Sequence, residues 1–175
     1  MEQGKRFVDI AFETNLQNLK NRALEIHKEK LQSIKKFAAL HPDHPFTIAN
    51  KQAIALKEQS SWNGAGVLSM TGLGWWALNL SVDLAYPDVV IFNATGGPDW
   101  SVAIFTSAVA GYFYVDPSHL HGECNFSLES VAGVLGEVAI DLFKSDGTQI
   151  GSFLGAVVGV SLSKLTGTGT ITFNP

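Results

Sequence analysis

Cysteine is nearly absent from this chain, which has one, Cys124, among 175 residues. A single thiol cannot form a disulfide within the chain, and it cannot supply a zinc site built from several cysteines. Cys124 lies on the apolar side of an alternating stretch, so we interpret it as a small buried hydrophobic residue. Neither disulfides nor a multi-cysteine zinc site is therefore expected to stabilise the fold.

Basic residues are scarce in the C-terminal two thirds of the chain. Residues 62–175 contain two lysines and nine acids, whereas residues 1–61 contain ten Lys and Arg and seven acids. Affinity for nucleic acids comes chiefly from Lys and Arg, so no nucleic-acid partner is expected. The uneven charge predicts two regions: a helical N-terminal arm with a linker at 1–61, and a β-domain at 62–175.

Motifs of common enzyme classes are also missing. The sequence has no Gly-x-Ser-x-Gly elbow, no phosphate-binding loop and no helical His-Glu-x-x-His. The segment 72–77 has the letters of a dinucleotide-binding loop, but an alternating strand follows where that motif requires a helix. We therefore expect a non-enzymatic protein without a cofactor.

A secretory signal peptide is not visible. Lys5 and Arg6 are followed only by a short apolar stretch that Asp9 interrupts, whereas a signal peptide needs a longer apolar region. The expectation is a cytoplasmic protein, or one exported by a route that does not use a signal peptide. The sequence leaves the compartment and the oligomeric state open.

Short alternating stretches dominate the chain after Trp62. Apolar and polar residues alternate in 77–84, 123–130 and 137–142, and a period of two places one set of side chains in a core and the other in water. Separated by Gly- and Pro-containing turns, such stretches predict a mainly β fold, an antiparallel sandwich or small barrel. The predicted strands lie at roughly 65–71, 75–84, 88–94, 100–106, 108–115, 120–131, 135–143 and 148–162, with a last piece at 168–173.

One strong helical pattern precedes the strands. In residues 14–40 apolar side chains recur every three or four positions, which predicts an amphipathic helix that ends before His41 and Pro42. Such a helix can dock on its own barrel or on a partner helix, lie on a membrane surface because its polar face is basic, or form a flexible leader. Residues 46–60 are predicted to add a short second helix.

A candidate metal site is the group His119, His121 and Glu123. These residues occupy alternate positions near a predicted strand, so their side chains can point the same way. Two imidazoles and one carboxylate suit zinc or non-haem iron. The alternative is the solvent-facing side of a strand that begins after a proline turn.

Candidate contacts to a membrane or partner fall into two groups. The first is basic and lies on the helix: Lys28, Lys35 and Lys36. The second is aromatic and lies near predicted strand ends: Trp62, Trp75, Trp76 and Trp100. Aromatic rings at strand ends can form an interfacial belt or line a ligand mouth, and they can equally cap the ends of a core.

The order of features in the C-terminal half resembles the virulence-associated Vap proteins of actinobacterial pathogens, over about residues 65–173. The segments that carry the resemblance are 124–129, 139–146, 150–151, 155–160 and 166–170. The resemblance implies a compact, eight-stranded antiparallel barrel of Greek-key type, with no catalytic residue to transfer. It also implies secretion and action on host phagosomes, in part through membrane or lipid association. The present chain departs from the family in its long, basic, helical arm and its lack of a secretion signal.

The leading functional hypothesis is a non-enzymatic β-barrel with an amphipathic helical arm, acting by contact with a membrane, a lipid or a host protein. One alternative is a barrel that holds a small apolar ligand, although glycine-rich walls predict a narrow interior. The other is a metal-dependent enzyme that uses His119, His121 and Glu123.

Overall fold

Eight antiparallel strands close into a barrel in the computed structural model. The structure describes residues 2–56, 62–72, 74–85, 87–99, 104–131, 136–157 and 164–175, without the side chains of 2–12 and 98–99. The strands are β1 Trp62–Thr71, β2 Gly74–Asp83, β3 Val89–Asp99, β4 Phe105–Phe113, β5 His121–Ser130, β6 Glu137–Phe143, β7 Gln149–Ala156 and β8 Leu165–Asn174. The predicted mainly β barrel with an N-terminal helix is confirmed.

The barrel consists of two Greek keys. Its strands follow the order β1-β2-β3-β8-β5-β6-β7-β4, and β4 pairs with β1 to close it. Strands β1 to β3 form a meander with β4 beside β1, and β5 to β7 form a second meander with β8 beside β5. Each half thus has the fourth strand next to its first, which defines a Greek key.

The barrel interior is filled by the apolar side chains of the alternating stretches. Leu78, Leu80 and Val82 of β2 are buried, as are the alternate residues of β5 and β6. Burial also raises the pKa of the Cys124 thiol to about 11, with a smaller contribution from the negative charge of Glu123. Cys124 therefore behaves as the apolar core residue that its position predicts.

Two strand predictions were wrong. Residues 100–106 and 108–115 were predicted as separate strands, but β4 is one strand, Phe105–Phe113, and residues 100–103 lie outside the described part. The strand continues through Ser107, between the two predicted strands. This polar side chain is buried, and its hydroxyl donates a hydrogen bond to the Ala156 carbonyl over 2.7 Å. The strand predicted at 148–162 is shorter in the structure: β7 ends at Ala156, and residues 158–163 lie outside the described part.

Three helices precede the barrel: α1 Glu2–Leu40, α2 Pro45–Ala49 and α3 Lys51–Ala55. The first begins earlier than the pattern at 14–40 predicts, and at 1.5 Å per residue it is about 58 Å long. Its C-terminal half packs on β4 and β7. No helix in the described residues is long and apolar enough to cross a membrane.

Candidate membrane- and partner-contact surface

One side of α1 is buried against the barrel wall. Its apolar contact residues, here called the inner stripe, are Leu19, Ala23, Leu31, Ile34 and Ala38. The N-terminal part of the stripe packs on Ala110 of β4 and Leu154 of β7, and the C-terminal part packs on Tyr114 and on Ala53 of α3. The sequence left several arrangements possible for this helix. In the structure α1 docks on its own barrel.

A histidine interrupts the inner stripe. His27 is 2 % exposed and stacks on Tyr112 and Tyr114, with ring centroids 4.2 and 5.2 Å away. Among the residues that the structure describes, neither ring nitrogen of His27 has a hydrogen-bond partner, and the hydroxyl of Tyr114 has none. A neutral imidazole without partners already carries a desolvation cost, and an imidazolium would carry a larger one.

The buried setting shifts the pKa values of these rings. Burial lowers the pKa of His27 to about 4, with further lowering by the positive charges of Lys28 and Lys35. Burial raises the pKa of the Tyr114 hydroxyl, and the negative charge of Asp141 raises it further. At neutral pH the contact between α1 and β4 therefore consists of uncharged rings.

Ion pairs lie beside this aromatic contact. Lys30 on α1 forms an ion pair with Asp141 on β6, and the Lys30 ammonium also donates to the Ser152 hydroxyl over 2.9 Å. Arg22 lies 3.9 Å from Glu137 on the same strand. These contacts join α1 to β6 and β7 at defined positions along the barrel.

The short helices are held by Asn50, which lies between α2 and α3 and is buried. Its side-chain oxygen accepts the backbone N–H of Gln149 over 2.9 Å, and its amide donates to the carbonyls of Phe46 and Gly147. These bonds connect the helices to the β6–β7 turn. They place the junction of α1 and α2 at that end of the barrel.

Exposed apolar side chains gather at this junction. Leu40 is 70 % exposed and Ile48 is 53 % exposed. Beside them, Phe37 packs edge-on against Phe46 with centroids 5.4 Å apart. We call Phe37, Leu40, Phe46 and Ile48 the corner surface.

The corner surface contains an apolar recess, and exposed lysines lie close to it in the sequence. An open cavity of about 350 Å³ is lined by Ile34 of the inner stripe and by Ser33, Phe37, His44 and Phe46. Lys36 and Lys51 are exposed on either side of the corner-surface residues in the sequence, and Asp43 is the one acid between them. A surface that combines apolar side chains with cationic ones is of the kind that binds to an anionic membrane.

The predicted basic contacts lie in different environments. Lys36 is exposed, whereas Lys28 and Lys35 are half-buried. The Lys35 ammonium donates a hydrogen bond to the Leu56 carbonyl at the end of α3, so this group already has a partner within the protein.

The predicted tryptophan contacts are not brought together. Trp76 is 7 % exposed and belongs to the core, and Trp62 is partly buried at the start of β1. Trp75 is 73 % exposed and lies at the opposite end of the barrel, where the β2–β3 register shifts. Trp100 lies outside the described residues. The three tryptophans that the structure describes therefore do not form an aromatic belt.

The predicted metal ligands do not form a cluster. His119 belongs to a short 3-10 helix, Pro117–His119, while His121 and Glu123 are exposed on β5. In the part of the chain that the structure describes, no three His, Cys, Asp or Glu side chains are arranged to hold a metal ion. The geometry thus gives the metal hypothesis no support.

Sequence reasoning missed His27 and the corner surface. A signal for His27 was present, since Leu19, Ala23, His27 and Leu31 are spaced by four residues, which places a polar ring in the middle of an apolar stripe. The corner surface carried no such signal. Exposed and buried apolar residues look alike in a sequence until the docked face of the helix is known.

The structure is similar to that of the virulence-associated protein VapB from the intracellular pathogen Rhodococcus equi. The TM-score is 0.44 at 15% sequence identity, and the match covers 66% of this chain and 96% of VapB. No protein-family model and no curated protein matches the sequence. The resemblance predicted from the sequence is thus also found between the structures, and at this similarity it carries no argument about function.

Proposed function

We propose that the protein acts without catalysis, by docking its corner surface on an anionic lipid bilayer. The observation that supports this most directly is the exposure of Leu40 and Ile48 eight positions apart at one end of the barrel. Exposed apolar side chains that are grouped rather than scattered mark interaction sites. The aromatic rings of Phe37 and Phe46 extend the same surface.

Charge favours lipid as the occupant. Residues 35–51 contain three lysines and one acid, whereas the barrel region 62–175 contains nine acids and two lysines. Near an anionic membrane each Lys contributes about 1 kcal/mol, while the acidic barrel is repelled. The two effects together orient the protein with the corner surface towards the bilayer and the rest of the barrel away from it.

The alternatives have less support. The side chains of the described core fill the barrel interior, with Phe92, Phe113, Phe126 and Phe153 among the fully buried residues, which disfavours a small apolar ligand inside. A protein partner at the corner surface is the remaining competitor. It predicts no binding to pure lipid.

Co-sedimentation with vesicles tests the proposal. The full chain is mixed at pH 7 and low salt with vesicles of phosphatidylcholine and phosphatidylglycerol, and separately with phosphatidylcholine alone. We expect binding to the anionic vesicles, reduced by salt because the lysine contribution is screened. The double substitution Leu40→Ser with Ile48→Ser should weaken binding roughly 30-fold, which corresponds to a loss of about 2 kcal/mol of apolar burial.

The matched control is Trp75→Ser, which removes an exposed apolar side chain at the other end of the barrel. It should bind the vesicles as the unsubstituted chain does. Absence of binding to anionic vesicles by the unsubstituted chain would overturn the lipid proposal and leave a protein partner. Equal weakening by Trp75→Ser would show that the contact is not confined to the corner surface.

A further inference from the structure

The helix α1 is held by a contact that a single proton can disturb. His27 lies between the helix and the barrel, in stacking contact with Tyr112 and Tyr114, and no described residue offers either ring nitrogen an acceptor or donor. Once protonated, the ring has two N–H donors. In the docked position both would be buried without acceptors.

We infer that α1 is a latch: protonation of His27 frees the helix from the barrel and exposes the inner stripe as a second lipid-binding surface. This inference rests on the proposed function, because it extends the same membrane contact to a surface that is hidden at neutral pH. The released element is the helix before His41. The bonds of Asn50 to the β6–β7 turn involve amide and backbone groups only, so α2 and α3 remain attached.

The charged groups around His27 oppose its protonation in the docked state. On α1 the neighbouring Lys28 and Lys35 both disfavour a positive ring. Asp141 on β6 is an acid on this side of the barrel, and it is already paired with Lys30. Tyr112 of β4 and Tyr114, just after that strand, offer their ring faces, which attract a cation, but they supply no acceptor in the ring plane.

The exposed inner stripe fits a lipid surface. Residues 13–40 contain six Lys and Arg and three Glu, and protonated His27 adds one positive charge. An apolar stripe with a basic polar side is the pattern of helices that lie in the interface of anionic membranes. The competing contact is the barrel wall around Ala110 and Leu154, and protonation of His27 weakens it.

The size of the effect follows from linkage. With a pKa of about 4 for docked His27 and the ordinary value of about 6.5 for an exposed histidine, the docking equilibrium weakens about 20-fold between pH 7 and pH 5. Most of this change lies below pH 6. Docking at pH 7 is unaffected.

Hydrogen–deuterium exchange on the full chain tests the latch directly, since it reads the opening of α1 without any lipid. Exchange of the backbone amides in residues 19–38 is compared at pH 7 and pH 5, after correction for the intrinsic rates. The unsubstituted chain should lose about 20-fold in protection there, while the barrel strands keep theirs. His27→Phe, which stacks but cannot be protonated, should keep its protection at both pH values.

Two further variants complete the series. His27→Lys places a permanent charge at the site and should open α1 already at pH 7. If His27→Phe does not fold, His27→Gln supplies a second neutral side chain. Unchanged protection of residues 19–38 in the unsubstituted chain at pH 5 would overturn the inference, and so would equal loss of protection in a folded neutral variant.

Vesicle binding by the variant with Leu40→Ser and Ile48→Ser separates the two proposals. At pH 5 it should bind phosphatidylglycerol-containing vesicles through the inner stripe, although it binds weakly at pH 7. If α1 opens at pH 5 and this variant still does not bind, the inner stripe is not a lipid surface and the inference fails. If this variant and the unsubstituted chain bind equally tightly at pH 7, the proposal for the corner surface fails, whereas the inference that protonation of His27 releases α1 still holds.

Discussion

At Gly111 the backbones of β4 and β7 leave no room for a side chain. A Cβ atom there would lie 2.1 Å from the Ser152 carbonyl oxygen and 2.5 Å from the Phe153 ring. Such contacts cannot be relieved by rotating a side chain, so Gly111→Ala must push the two strands apart. We expect it to reduce the free energy of unfolding by about 1–3 kcal/mol, measured by urea denaturation followed by fluorescence.

A matched control is Gly122→Ala on β5. There a Cβ would meet nothing within 4 Å, but the backbone has a φ of +109°, which glycine adopts and other residues disfavour. We expect a smaller loss, of about 1 kcal/mol. An equal or larger loss in Gly122→Ala would contradict the argument that strand separation limits position 111.

Single residues also show where sequence reasoning ends. Trp75 and Trp76 are adjacent and chemically identical, yet one is exposed and the other is in the core. The period of two, continued back from Leu78, does place Trp76 on the core side and Trp75 on the outer side, but the phase of a strand can change at a register shift, so the sequence alone did not remove Trp76 from the surface candidates. His27 was missed for a different reason: its four-residue spacing from Ala23 and Leu31 places it on the apolar stripe, but the sequence does not show the barrel wall that buries that stripe.

Among the elements, the strands were more predictable than the docking of the helices. Alternation in β2, β5 and β6 identified the buried faces correctly, because one side of each strand faces the core and the other does not. All described residues of β7 except Ala156 are buried, since α1 covers part of its outer side, so no alternation is visible there. The closure of β4 on β1 also depends on pairing across distant parts of the chain.

The link between the short helices and the barrel depends largely on one side chain. Asn50→Ala removes the acceptor for the buried Gln149 N–H and the donor to the Phe46 carbonyl. An orphaned buried donor costs about 1–3 kcal/mol, so we expect a loss of that size in the free energy of unfolding. Hydrogen exchange in residues 45–55 should increase in the same variant.

The control for this element is Asn93→Ala. Asn93 is exposed and accepts a hydrogen bond from Asn79 over 2.7 Å, and water can replace that bond in the variant. The expected change is within about 0.5 kcal/mol. A loss as large as that of Asn50→Ala would mean that burial does not explain the importance of Asn50.

At the scale of the whole molecule, the helix and the barrel are two bodies joined by a contact that depends on pH. Folding lowers the pKa of His27 to about 4 from its ordinary value, so between about pH 6.5 and 4 the unfolded state binds more protons than the folded state. Stability from this contact is complete above that range and is lost as the pH falls through it. The loss approaches about 3 kcal/mol, at about 1.4 kcal/mol for each pKa unit.

Cooperativity of unfolding should therefore depend on pH. All four tryptophans lie between residues 62 and 100, so fluorescence reports on the barrel, whereas circular dichroism at 222 nm reports mainly on the helices. At pH 7 we expect both signals to give one urea midpoint, as two-state unfolding requires. At pH 4.5 the helix signal should be lost at lower urea, because an undocked helix in water is marginal. In His27→Phe the two midpoints should coincide at both pH values; separation in that variant would assign the weak contact to groups other than His27.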